Sequence, residues 1–227
     1  DQQHKSYKAT EIINGDFVLI ELHHLNKSRS KRIIWLLEEA AIPYKIIPYQ
    51  RDAATSLAPK ALLNVHPLGK SPVIIDKGRV INESGAIVDH LISSYAPHLA
   101  PKLDSEEYIH YQSWLHFAES SAALPMLLNY FLKMDGSKTN FLGEYAVKEL
   151  NLILAYMNDS LADRDFFMGN DLSGADIMNS FIIESIFSTG LMRPFTNLEK
   201  HYLVIKARAA YIKSDELEAH HDTTTTS

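Results

Sequence analysis

Residues 17–22 (Phe17, Val18, Leu19, Ile20, Glu21 and Leu22) form a nearly unbroken apolar run bounded by polar residues. That is the pattern of a strand buried on both faces, the habit of parallel sheets. From Ser30 onward, Ile33, Ile34, Leu36, Leu37, Ala40 and Ala41 recur at helical spacing with Glu38 and Glu39 on the other side, and Pro43 stops the run. The spacing predicts an amphipathic helix over 30–41. Residues 44–49 are strand formers with Pro48 suiting an edge position, and 58–63 predict a short helix ahead of His66 and Pro67. Two short apolar runs, 73–75 and 80–81, are joined by Asp76-Lys-Gly-Arg79 and predict a hairpin. A helix over 84–95, with Ile87, Val88, Leu91 and Ile92 on one face, closes the segment.

Pro97 and Pro101, four residues apart in polar surroundings, mark a linker over 98–103. Beyond Asp104 no strand pattern recurs, whereas helical spacing appears around 108–117, 146–157, 176–186 and 198–211. Asp104-Ser-Glu-Glu107 and Ser173-Gly-Ala-Asp176 both have the form of capping boxes. The order strand–helix–strand–(helix)–strand–strand–helix sets a parallel pair beside an antiparallel hairpin, which is the thioredoxin-like order. The expected fold class is therefore α/β plus all-α: a thioredoxin-like domain over 16–97, the linker, and an all-helical bundle over 104–213. Residues 1–15 and 214–227 are expected to be a flexible arm and tail.

Composition narrows the function. The chain has 227 residues, 46% hydrophobic and 22% charged, with a formal net charge of -6. It can bury a core, and it has no basic stripe for nucleic acid. No apolar run approaches the roughly 20 residues of a membrane-spanning helix, and residues 1–16 lack the apolar core of a signal peptide, so a cytoplasmic protein without a membrane partner is expected. There is no cysteine, which excludes disulfides, thiolate metal sites and a cysteine nucleophile. The eleven histidines show no metal-binding spacing, and no metal is expected. Gly69-Lys-Ser71 is not a phosphate loop, because Asn64 stands where that motif needs glycine and Pro72 interrupts the helix that should follow.

Several segments resemble the glutathione transferases, in particular fungal and bacterial members of the kind found in yeast. They are Leu25-Asn-Lys-Ser-Arg-Ser-Lys-Arg32 with Ile-Ile-Trp-Leu-Leu-Glu-Glu39, Asn64-Val-His-Pro-Leu-Gly-Lys-Ser-Pro-Val-Ile-Ile75, Asn82-Glu-Ser-Gly-Ala-Ile87 and Met168-Gly-Asn-Asp-Leu-Ser-Gly-Ala-Asp176. The resemblance covers roughly 17–211. It implies glutathione as cosubstrate, a hydrophobic electrophile as second substrate, possible peroxidase side activity, and a homodimer built on helices 84–95 and 104–120. Non-catalytic regulatory or assembly proteins share the same architecture and are the alternative.

The resemblance also implies the site. Glu83 and Ser84 match the pair that grips the γ-glutamyl end, and Ser71 matches the residue whose backbone pairs with the cysteinyl unit before a cis-proline, Pro72. Lys70 and His66 sit where a cation meets the glycyl carboxylate, and Arg29 lies near the sulfur. Lining up Arg32 with the family's first-helix arginine puts Leu25 or Asn26 near its catalytic serine; because Ser28 directly precedes the helix, its hydroxyl is expected to donate to the sulfur, a role compatible with capping, with Asn26 as the alternative amide donor. Tyr111 and Phe117 are expected in the wall of the electrophile pocket.

Overall fold

A computed structural model describes residues 19–136 and 138–223; Phe17 and Val18, at the start of the expected first strand, lie outside the described residues. The four strands β1 (Ile20–Leu25), β2 (Tyr44–Tyr49), β3 (Val73–Asp76) and β4 (Arg79–Asn82) make one sheet in the order β2-β1-β3-β4. β1 and β2 run parallel, with Ile20 opposite Tyr44, while β3 is antiparallel to both β1 and β4. Ile20 and Leu22 are fully buried, as an interior strand requires. Pro48 falls on the edge strand β2, where a missing N–H costs nothing.

Helix α1 (Lys31–Glu39) follows β1, and α2 (Ser84–Tyr95) follows β4. The expected short helix is a 3-10 turn at Lys60–Asn64. The second half consists of α3 (Glu106–Glu119), α4 (Ala123–Asp135), α5 (Leu142–Ser160), α6 (Gly174–Phe187), α7 (Thr196–Lys206) and α8 (Ala209–His221). The thioredoxin-like part and the helical part share one hydrophobic core, which runs from Ile20 and Ile33 through Ile92 and Tyr111 to Ile182 and Tyr211. No helix among the described residues is long and apolar enough to cross a membrane.

Four expectations are corrected. Helix α4 was not anticipated: Pro125 reads as a breaker, although it sits in the first turn, where proline is tolerated. The single helix expected over 198–211 is two, because Arg208 is extended (φ -73°, ψ 136°) and turns its guanidinium onto Glu39 at the end of α1. Residues 214–221, expected in a tail, are the body of α8, which packs on α1 and buries Ser214 and Tyr211. Finally, α3 starts at Ser105 without a side-chain cap, so the Asp104 box is absent. The Ser173 box is present, with Asp176 Oδ2 accepting from the Ser173 N–H at 2.9 Å.

Candidate functional site

The antiparallel pairing of β1 and β3 ends at His23 opposite Val73, because the next residue, Pro72, has no N–H to offer. The Ser71 side chain continues the ladder: its Oγ donates to the His23 carbonyl (2.8 Å) and accepts the Leu25 N–H (3.1 Å). The Ser71–Pro72 peptide bond is cis. Since the hydroxyl does the bonding, the Ser71 backbone N–H and C=O have no partner among the described residues. They are free for a peptide-like ligand. Gly69 makes the approach of this loop possible, since its φ of +57° is left-handed and an added Cβ would meet Leu63 at 2.9 Å.

At the next element, Glu83 has φ +64° and ψ 122°, a conformation that L-residues rarely adopt, and it directly precedes the first turn of α2. Such strain, of order 1–3 kcal/mol, collects at binding sites. The turn exposes the Glu83 side chain while Ser84 is buried at the helix start. The free N–H groups of that turn and the dipole of α2 favour an anion there.

These pieces meet in one cleft of about 180 Å³, lined by Arg29, His66, Lys70, Ser71, Pro72, Glu83 and Ser84, with Asn82 and Glu119. Seven of the residues singled out in the sequence thus converge. Glu119, at the end of α3, was not among them. Its carboxylate holds Arg29 Nε (2.9 and 3.2 Å) and also the buried Arg32, whose Nη1 donates to the Met178 carbonyl at 2.6 Å. Burial pulls the Arg32 guanidinium below its ordinary value, and Glu119 opposes the fall. The arginine spacing in the 25–32 segment announces cations at the start of α1, but nothing local in α3 announces their acid.

The loop at 25–30, which contributes Arg29 to the lining, lies beside this cleft. Ser28 is half-buried and does not cap α1 directly; Ser30 occupies the N-cap. Ser28 Oγ donates to the Leu25 carbonyl at 2.7 Å and accepts the Ser30 N–H at 3.1 Å. The Leu25 peptide therefore links Ser28 to Ser71 in the cleft wall. Asn26 is buried and acts as a brace: its amide donates to Asp222 Oδ1 at 2.9 Å, and its Oδ1 accepts the Arg51 N–H at 2.9 Å. A side chain so committed is a poor donor to anything bound in the cleft.

Tyr111 and Phe117 do not line the cleft. Tyr111 is fully buried where α3 crosses α6, over Gly174, and burial raises its phenol well above the usual value. Phe117 sits two residues from Glu119, about 200° around the helix, so the turn that aims Glu119 at the cleft sends Phe117 to Trp114 and Tyr156 (ring centroids 5.2 and 5.5 Å).

Residues 18–93 match the family described as Glutathione S-transferase, N-terminal domain. Over 211 residues the chain is 34% identical to Glutathione S-transferase 3 of Schizosaccharomyces pombe, covering 85% of each. The protein belongs to the glutathione S-transferase family. It is also 28% identical to Glutathione S-transferase 1 of Saccharomyces cerevisiae, over 87% of this chain and 94% of that one. The crystal structure of a glutathione S-transferase from Actinobacillus pleuropneumoniae superposes with a TM-score of 0.80 at 29% identity, covering 88% of this chain and 93% of the other. The thioredoxin-like part with its helical partner is thus the architecture of this family.

Proposed function

We propose that this transferase-family protein conjugates the thiolate of glutathione to hydrophobic electrophiles. The observation that carries the reading is the cleft itself: a free backbone pair at Ser71, an acid and a helix start at Glu83–Ser84, and the Lys70 ammonium with the His66 ring beside it. Glutathione is an extended peptide with an ammonium and a carboxylate at one end, amides in the middle and a carboxylate at the other end. In this reading Glu83 takes the ammonium, the first turn of α2 with Ser84 takes the adjacent carboxylate, Ser71 pairs with the cysteinyl unit, and Lys70 and His66 meet the glycyl carboxylate.

The chain has no cysteine, so the cosubstrate supplies the sulfur. An unperturbed thiol with a pKa near ~8.5 is only about 3% ionised at pH 7. The start of α1 and the Ser28 hydroxyl are assigned the task of lowering that pKa by about 2 units, worth roughly 2.7 kcal/mol. The remaining task is to place the electrophile in line with the sulfur. The Arg29–Glu119 pair borders the cleft, and Arg29 lies over the Phe181 ring at 4.9 Å. This edge, rather than Tyr111 or Phe117, is proposed as the near wall of the electrophile pocket. Reduction of organic hydroperoxides would use the same thiolate.

A homodimer belongs to this reading, but its surface moves. The apolar stripe of α2 is buried within the subunit and α3 exposes Ile109, whereas α4 exposes four large apolar residues, Leu124, Tyr130, Phe131 and Met134. Turnover of a chromogenic aryl halide with glutathione tests the function: conjugate formation supports it, while glutathione binding without turnover of any electrophile in a broad panel would place the protein among the non-catalytic members of its fold.

A further inference from the structure

We infer that Glu218, His24 and Ser30 form a relay that receives the proton of the glutathione thiol, and that His24 holds it as a buried imidazolium. The inference rests on the proposed placing of the sulfur beside Ser28. Glu218 Oε2, on α8, lies 2.9 Å from His24 Nε2. His24 Nδ1 is 2.5 Å from Ser30 Oγ, and Ser30 Oγ is 3.1 Å from Ser28 Oγ. His24 and Ser30 are fully buried, so the chain runs from Ser28 through the interior to the last helix.

Counting hydrogens gives the direction. A carboxylate only accepts, so the ring nitrogen facing Glu218 carries the hydrogen and Nδ1 has the lone pair when the ring is neutral. The Nε2 contact is oblique rather than a formed hydrogen bond, so Glu218 acts there as a charge; its Oε1 is fixed by the Lys27 N–H at 2.6 Å. The Ser30 hydroxyl fills Nδ1. Ser30 Oγ can then accept from Ser28, whose Oγ takes the Ser30 N–H and keeps a lone pair for the thiol. The Leu25 carbonyl is the competing acceptor for both hydroxyls, at 2.7 and 3.2 Å.

The step balances without a further reactant. The S–H bond breaks, its proton goes to Ser28 Oγ, the Ser28 proton to Ser30 Oγ and the Ser30 proton to Nδ1, leaving a thiolate and an imidazolium paired with Glu218. The logic is that of any hydroxyl–imidazole–carboxylate chain. Of the surrounding charges, Arg51 also acts on Glu218. Asp215 of α8 and Asp222, just past its end, are paired with Lys31 and Lys27, and Lys31 also meets Glu184 of α6. Arg51, beyond β2, feels Glu218 while donating to the carbonyls of Asn26, Lys27 and Ser56. His23 faces Tyr49 at 2.9 Å, with Glu21 further along its own strand.

The test is calorimetry of glutathione binding to the full chain in buffers of different ionisation enthalpy, with thiolate absorbance read on the same samples. Near pH 7 the wild-type protein should form the thiolate while releasing less than about half a proton per site; Glu218→Gln and His24→Asn should release close to one for each thiolate formed. Glu218→Gln keeps an acceptor for the Lys27 N–H on a partly exposed side chain, so it remains informative if the buried His24 variant does not fold. Nitrogen NMR of histidine-labelled protein should show His24 turning from neutral ring to imidazolium on addition of glutathione. Equal proton release in wild type and Glu218→Gln, with the thiolate present, overturns the relay alone. Absence of thiolate in the wild-type complex overturns the proposed function and the relay with it.

Discussion

Replacing Glu119 by glutamine removes the one carboxylate that holds both Arg29 and Arg32. The two arginines differ in what they lose. The Arg29 side chain is 29% exposed and can turn to water, but that of Arg32 is 1% exposed and retains the Met178 carbonyl and the face of the Phe181 ring, with no other carboxylate among the described residues. Removing one partner of a buried ion pair costs about 3–5 kcal/mol. Because the Glu119 side chain is itself 31% exposed, water softens the loss, and about 2–4 kcal/mol is expected. For a chain of this size that lowers Tm by roughly 5–15 °C. Thermal and urea melts of the glutamine variant read it directly. Arg32→Met should be much milder, since Glu119 keeps Arg29, and the double variant Glu119→Gln/Arg32→Met should recover most of the stability because no buried charge is left alone. A loss below about 0.5 kcal/mol for Glu119→Gln, or simple additivity in the double variant, would refute the reasoning.

Glu83→Ala should weaken glutathione by on the order of 1.5–3 kcal/mol, mainly in the Michaelis constant, by removing a charge-assisted contact; unchanged affinity by calorimetry would reduce Glu83 to a partner of its helix dipole. Gly174→Ala should destabilise by about 1–3 kcal/mol, because a methyl there runs into the Tyr111 hydroxyl and comes within 2.6 Å of Ile92, and a denaturant midpoint equal to wild type would show that the α3–α6 contact gives way freely. Light scattering should report about twice 25.7 kDa, and Phe131→Glu should shift it to one; a dimer unaffected by that charge would place the interface elsewhere.

The sheet and both flanking helices were legible because each has contrast: an all-apolar interior strand at Ile20 and Leu22, a sided helix at Ile33–Leu37, and a hairpin marked by Lys77-Gly78. Cleft residues were legible only as a set, since Lys70, Ser71, Glu83 and Ser84 come from two connections that the β3–β4 hairpin brings together. The missed features are those whose meaning lies far away in the chain. Glu119 looks like any last-turn acid until Arg29 and Arg32 arrive beside it. Glu218 and Asp222 look like charges on a polar tail until α8 brings them to His24 and Asn26, residues 194 and 196 positions earlier. Helix periodicity likewise placed Tyr111 on an aromatic helix but could not say that the missing side chain at Gly174 makes room for its hydroxyl.

The central claim is that this site ionises bound glutathione, and the direct measurement is the ultraviolet absorbance of the thiolate titrated with pH in the complex. The expected midpoint is about 6.5, roughly 2 units below the free thiol, rising by about 1 unit or more in Ser28→Ala. A bound thiol that titrates near ~8.5 in the wild-type complex, as it does free in solution, would contradict it.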